Sequence, residues 1–125
     1  MAFEILRTRS FPASADLSAD QYCIVDLDSN GNIALPSAGA DAIGVLQDKP
    51  KRLGEACSVC SPGDITKIVA AGTITAGQHF MSDASGHAVA CTSSAHALGK
   101  ALVTTATGGI YAFLFQPTGK LYGTV

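Results

Sequence analysis

Short runs of apolar residues, many of them alternating with polar ones, follow one another along this chain, broken by turn residues about every 8–12 positions. That spacing predicts an all-β barrel or sandwich. Tyr22-Cys-Ile-Val-Asp-Leu-Asp28 is rich in strand formers, with Val25 and Leu27 facing one way and Asp26 and Asp28 the other. Two registers compete for the turn that follows. A two-residue Asn30-Gly31 turn sets Asp28 opposite Ile33 and Asp26 opposite Leu35. A three-residue loop, Ser29-Asn30-Gly31, with a left-handed Gly31 bulge, pairs Leu27 with Ile33 and Val25 with Leu35. A one-residue slip moves every side chain to the other face, so burial selects the second register and buries all four. Further strands are predicted at Ala42–Leu46, Glu55–Cys60, Ile65–Ala70 and Tyr111–Phe115, the last being the most apolar. No amphipathic helical pattern exceeds about two turns.

The pattern is stated twice. Asp83-Ala-Ser-Gly86 repeats the turn at Asp28-Ser-Asn-Gly31, and the same loop chemistry pairs Ser82 with Ala88, Met81 with Val89 and Phe80 with Ala90. At a constant offset of 55, seven identities run from Asp28/Asp83 through Gly31/Gly86, Ala40/Ala95, Ala42/Ala97, Gly44/Gly99 and Gly54/Gly109 to Pro62/Pro117. Most are turn and breaker residues, which set the path of the backbone. The expected organisation is an extended N-terminal arm or first strand over 1–15 and a single β-domain over 16–119. Its similar hairpin-containing halves lie at about 16–63 and 71–118, and a tail covers 120–125.

At 125 residues the chain can bury one real core, although with no Trp, five Phe and three Tyr the core must be built from Val, Ile, Leu and Ala. Charged residues make up only 14%, and the net charge is −2. So few charges suit a surface packed against other subunits. No apolar run approaches the ~20 residues of a membrane span. The first ten residues carry an acid early and lack a signal-like apolar stretch, so synthesis is expected to end in a cytoplasm, with the four cysteines reduced and buried.

Candidate chemistry is sparse. Cys57-Ser-Val-Cys60 is half of a zinc-ribbon pattern, but residues three apart on a strand point to opposite faces, and Cys23 and Cys91 stand alone. His79, His87 and His96 lack metal-binding spacing. Asp83-Ala-Ser-Gly-His87 reads as a capped turn, since residues adjacent in one turn cannot meet as a catalytic relay. No catalytic, cofactor or metal residue is assigned, and no enzyme is expected. Lys49, Lys51 and Arg52, with Arg7 and Arg9, offer a small basic patch, but without an aromatic platform on an acidic chain it is a poor nucleic-acid site. It reads better as a protein-contact loop or a solvated one. The arm, with Phe3, Ile5, Arg7, Arg9 and Phe11, is the other contact candidate. A small ligand- or carbohydrate-binding β-module is the competing reading.

The ordered set of small motifs resembles the phage capsid cement, or head-decoration, proteins. Ala42-Ile43-Gly44-Val45 precedes Gly54-Glu55-Ala56, then Gly72-Thr-Ile-Thr-Ala-Gly77, Ser82-Asp83-Ala-Ser-Gly86, His96-Ala-Leu-Gly99-Lys-Ala and Gly108-Gly109-Ile-Tyr-Ala-Phe-Leu. The likeness spans about residues 20–116; the four cysteines and the Lys49–Arg52 loop depart from it. It implies a compact β-barrel, often trimeric, on the outside of a virion head assembled in the host cytoplasm. There it would bridge major capsid protein subunits, with the N-terminal arm touching the shell and no cofactor, membrane or nucleic acid involved.

Overall fold

Ile24 and Val25 are adjacent on one strand and both fully buried. Alternation gives a strand one face per core, so two cores must meet at this strand. The computed structural model describes residues 8–60, 62–92 and 95–117. The strands are β1 (Thr8–Pro12), β2 (Ile24–Leu27), β3 (Ile33–Ala34), β4 (Gly44–Leu46), β5 (Ala56–Cys60), β6 (Ile65–Val69), β7 (Phe80–Ser82), β8 (Ala88–Ala90), β9 (Gly99–Ala101) and β10 (Ile110–Phe115). Among the described residues there is no helix. The fold is all-β, as the turn spacing predicts.

The first five strands form a sheet in the order β1-β5-β4-β2-β3. Its two edges meet through a parallel bridge from Ala13 to Ile33, where the Ser14 N–H donates to the Ile33 carbonyl at 2.9 Å. The two edges join at this point, which curls the sheet into a ring. In the second half β6-β10-β9 and β7-β8 are joined by a His79–Lys100 bridge, and Ala70 bridges Ala88 in parallel. The resulting order, β6-β10-β9-β7-β8, is that of the first ring.

The two rings correspond strand by strand. Leu27↔Ile33 and Ser82↔Ala88 are equivalent pairs at an offset of 55. The offset is 57 for the first strand, as Ala13 and Ala70 show. It is 54 for the fifth, where Leu46↔Val59 matches Ala101↔Phe113. The constant offset read from sequence therefore fails at the end: Gly54 corresponds to Gly108, both left-handed at φ +83° and +86°, and not to Gly109.

Ten equivalent positions pack inside both rings, and Phe115 adds to the second. Phe11, Ala13, Leu17, Val25, Ile33, Leu35, Ile43, Leu46, Cys57 and Val59 pack together in the first. Ile68, Ala70, Ile74, Phe80, Ala88, Ala90, Leu98, Ala101, Tyr111 and Phe113 are their counterparts in the second. Volume is redistributed between them. Phe80 and Phe113, in edge-to-face contact at 4.8 Å, stand where the first ring has Val25 and Val59. Ala88, Ala90 and Ala101 replace Ile33, Leu35 and Leu46. Large side chains thus stand beside small ones in the second ring, where the first has residues of intermediate size.

The outer faces of β2, β4 and β5 present Ile24, Val45 and Cys60 to the core of the second ring, so these strands are buried on both sides. Backbone bonds seal the join, from Ile24 N to Gly86 O at 2.7 Å and from Gly39 N to Ser82 O at 2.8 Å. The bulged hairpins have the expected register, with Gly31 at φ +80° and Gly86 at φ +78°. The expectation that all four hairpin residues are buried holds for Val25 and Ile33, whereas Leu35 is half-buried and Leu27, the last residue of β2 before the turn, is 39% exposed.

Candidate interaction site

Residues 8–12 of the expected arm form β1, paired with β5 from Thr8↔Cys60 to Pro12↔Ala56. They are the first-strand alternative and belong to the ring. Phe3, Ile5 and Arg7 lie outside the described residues. Strand alternation turns Phe11 toward the first core, where it is half-buried, and its carbonyl accepts from the Cys57 thiol at 3.2 Å. Arg9, two residues back on the same face, is exposed at the rim. Arg9, Phe11, Ile43, Val59, Cys60 and Pro62 line an apolar cavity of about 170 Å³. Sequence reading missed Ile43, Val59 and Pro62 because they meet β1 only through its long-range pairing with β5 and the packing of that sheet.

Lys49, Lys51 and Arg52 sit on the β4–β5 loop and are all exposed. The loop itself is well anchored. Buried Pro50 accepts from Leu17 N at 2.9 Å, Gly54 N donates to Ala13 O at 2.8 Å, and the Lys51 N–H donates to the Glu55 carboxylate. Asp16 lies near Lys51; its carboxyl is held below the ordinary range, first by the Ser18 hydroxyl and N–H and to a lesser extent by the Lys51 charge. Arg9 pairs with Val59, whereas this loop adjoins Ala56 at the other end of β5. The fold therefore separates the arm's Arg9 from the basic loop along β5, so the expected single basic patch is divided in two.

The other sequence candidates resolve into scaffold. Asp83 Oδ1 accepts from Ser85 N and His87 N, both at 2.9 Å, and Asp28 Oδ1 does the same for Asn30 N and Asn32 N. Each carboxylate is thus committed to holding its turn. Cys57 points into the first core and Cys60 to the second, so the thiols of this CxxC face apart. Burial pushes the Cys23 thiol up to about 12 and the Cys57 thiol up to about 11. Such thiols stay protonated and are weak nucleophiles at neutral pH.

Exposed apolar side chains gather on the outer face of the second ring. Ile65, Leu102 and Ile110 are 40, 43 and 51% exposed on or beside β6, β9 and β10, with Lys67 and Lys100 among them.

No protein-family model matches the chain, and no curated protein matches it. Among solved structures it is similar to the crystal structure of the head fiber gp8.5 N base in bacteriophage phi29. The TM-score is 0.71 at 14% sequence identity, over 90% of this chain and 95% of that one. This likeness is one of fold, and it runs along almost the full length of both chains.

Proposed function

We propose that the chain is a non-catalytic structural protein of a phage virion. It decorates the outer surface of the head and stabilises it by bridging major capsid protein subunits. The observation that carries this reading is the near-complete structural likeness to a phage head fiber base. The ordered motifs from Ala42 to Leu114, the low charge content and the apolar outer face of the second ring support it. The two candidate contact regions, around Arg9 and around Lys49–Arg52, lie toward opposite ends of β5 and so face different directions of approach for neighbouring subunits.

Physically, a cement works by burying area across a seam that internal pressure would open. A contact of roughly 1,200–2,000 Å² is enough for a specific complex, and symmetry repeats it over the shell. The protein acts as a homo-oligomer, with a trimer favoured, and reaches the virion after head assembly in the host cytoplasm.

Co-sedimentation tests this. Purified protein is mixed with heads lacking it and spun through a density gradient. It is expected to travel with the heads in saturable amounts and to raise the temperature at which they rupture. Heads that neither retain it nor gain resistance would refute the reading.

A further inference from the structure

The contact between the two rings shows what fills the mouth of such a ring. Ile24, Val45 and Cys60, from the outer face of the first, pack with Ile68, Leu98 and Phe113 of the second. Gln47 Nε2 donates to Thr66 Oγ1 at 2.9 Å. Thr66 is left 2% exposed, and Ile68, Leu98 and Phe113 are fully buried.

The equivalent positions in the first ring are Arg9, Phe11, Ile43 and Val59. These four line the cavity of about 170 Å³. Here no second ring is stacked on them: Arg9 is exposed, and Phe11 and Ile43 are only half-buried. Among the described residues, the mouth that is filled in one ring is open in the other.

We propose that this open mouth is a docking seat for another protein, whose apolar strand face carries a carboxylate placed to meet Arg9. The inference deepens the shell-binding reading and rests on it for the source of the partner. Its chemistry follows from the one polar residue that differs. The Thr66 hydroxyl accepts from the Gln47 amide, but a guanidinium only donates. Whatever faces Arg9 must therefore accept, and a carboxylate does so most strongly, through paired N–H bonds.

A second copy of this chain does not fit. At the positions of Ile24, Val45 and Cys60 the second ring has His79, Lys100 and Leu114. Lys100 is exposed. Seated in the mouth, its ammonium would lose water beside the like-charged Arg9. Arg9 and Lys100 together thus keep copies from stacking first ring onto second ring in an open, head-to-tail filament.

Sedimentation velocity of the full chain with a charge cycle tests this. Lys100→Glu and Arg9→Glu each pair opposite charges across the contact between copies. Each is expected to shift the protein to species larger than wild type, growing with concentration and reversed in about 1 M salt. The double variant, Arg9→Glu with Lys100→Glu, restores like charges and is expected to match wild type. Both positions are exposed, and circular dichroism verifies each fold. Single variants that sediment as wild type, or a double variant that associates like the singles, would overturn the seat.

A second arm uses heads lacking the protein. Arg9→Ser is expected to co-sediment at least tenfold more weakly than wild type; equal binding overturns the carboxylate partner. Heads that bind neither protein overturn the shell as the source of the partner, while the charge cycle still decides the seat.

Discussion

Gly99 lies against the carbonyl oxygen of Leu114, and Gly44 stands in the same relation to Cys60 in the other ring. At either glycine an added Cβ would overlap that oxygen, and Gly99 also holds φ +139°. This is why the Ala-(Ile/Leu)-Gly motif recurs: its glycine lets β4 and β9 approach β5 and β10. Gly99→Ala is expected to cost about 2–4 kcal/mol in urea unfolding. Gly31→Ala is a useful contrast. Its Cβ would meet nothing within 4 Å, so only the left-handed backbone is strained, at about 1–2 kcal/mol. Equal losses at the two sites would contradict the close approach.

Phe80 and Ala90 are cross-strand partners in the second ring, where the first has Val25 and Leu35. Phe80→Val is expected to cost about 2 kcal/mol for the cavity left beside Phe113. Ala90→Leu alone overpacks by about 1–3 kcal/mol. Made together they recreate the pairing of the first ring, and the double variant should be at least about 1 kcal/mol more stable than the sum of the singles. Additive losses would mean that the two interiors are not interchangeable.

Burial raises the Cys23 thiol to about 12 from an ordinary 9.0, and Cys57 to about 11. Both folded values lie above the unfolded ones, so the thiols' contribution to stability is full below pH 9. It is lost as unfolded thiols ionise and pH rises toward 11–12. The denaturation midpoint should fall across that window, and Cys23→Ala should flatten the fall. Under native conditions near pH 8, half-buried Cys91 is expected to react first with a thiol reagent, and Cys23 and Cys57 only on unfolding.

Removal of residues 2–7 is expected to leave the unfolding transition cooperative and to weaken head binding. Removal of 2–12 is expected to abolish cooperative folding, because it takes β1 from the ring and Phe11 from the core. Matching melting curves for the two truncations would place β1 outside the fold.

Turn chemistry made much of this legible. Asp28, Gly31, Asp83 and Gly86 fix the hairpin registers locally, so burial alone chooses between alternatives. Ring closure was hidden, since it rests on Ala13–Ile33 and Ala70–Ala88, and alanine at a bridge leaves no signature. The changing offset was hidden too, because lengths differ in connectors near Ser18 and Arg52, where no motif marks the step. Tyr22 shows the same limit. It holds a left-handed backbone at φ 66°, where the second ring has Gly77, and no residue type advertises that. At the candidate site Arg9 and Phe11 were visible as alternating positions, while Ile43, Val59 and Pro62 join them only through the fold.

Electron cryo-microscopy of heads with and without the protein shows whether it bridges subunits of the shell. The difference map is expected to show paired five-stranded rings on the outer surface, lying across seams between major capsid subunits. Density on the inner surface, at the tail vertex alone, or confined to the middle of single subunits would contradict it.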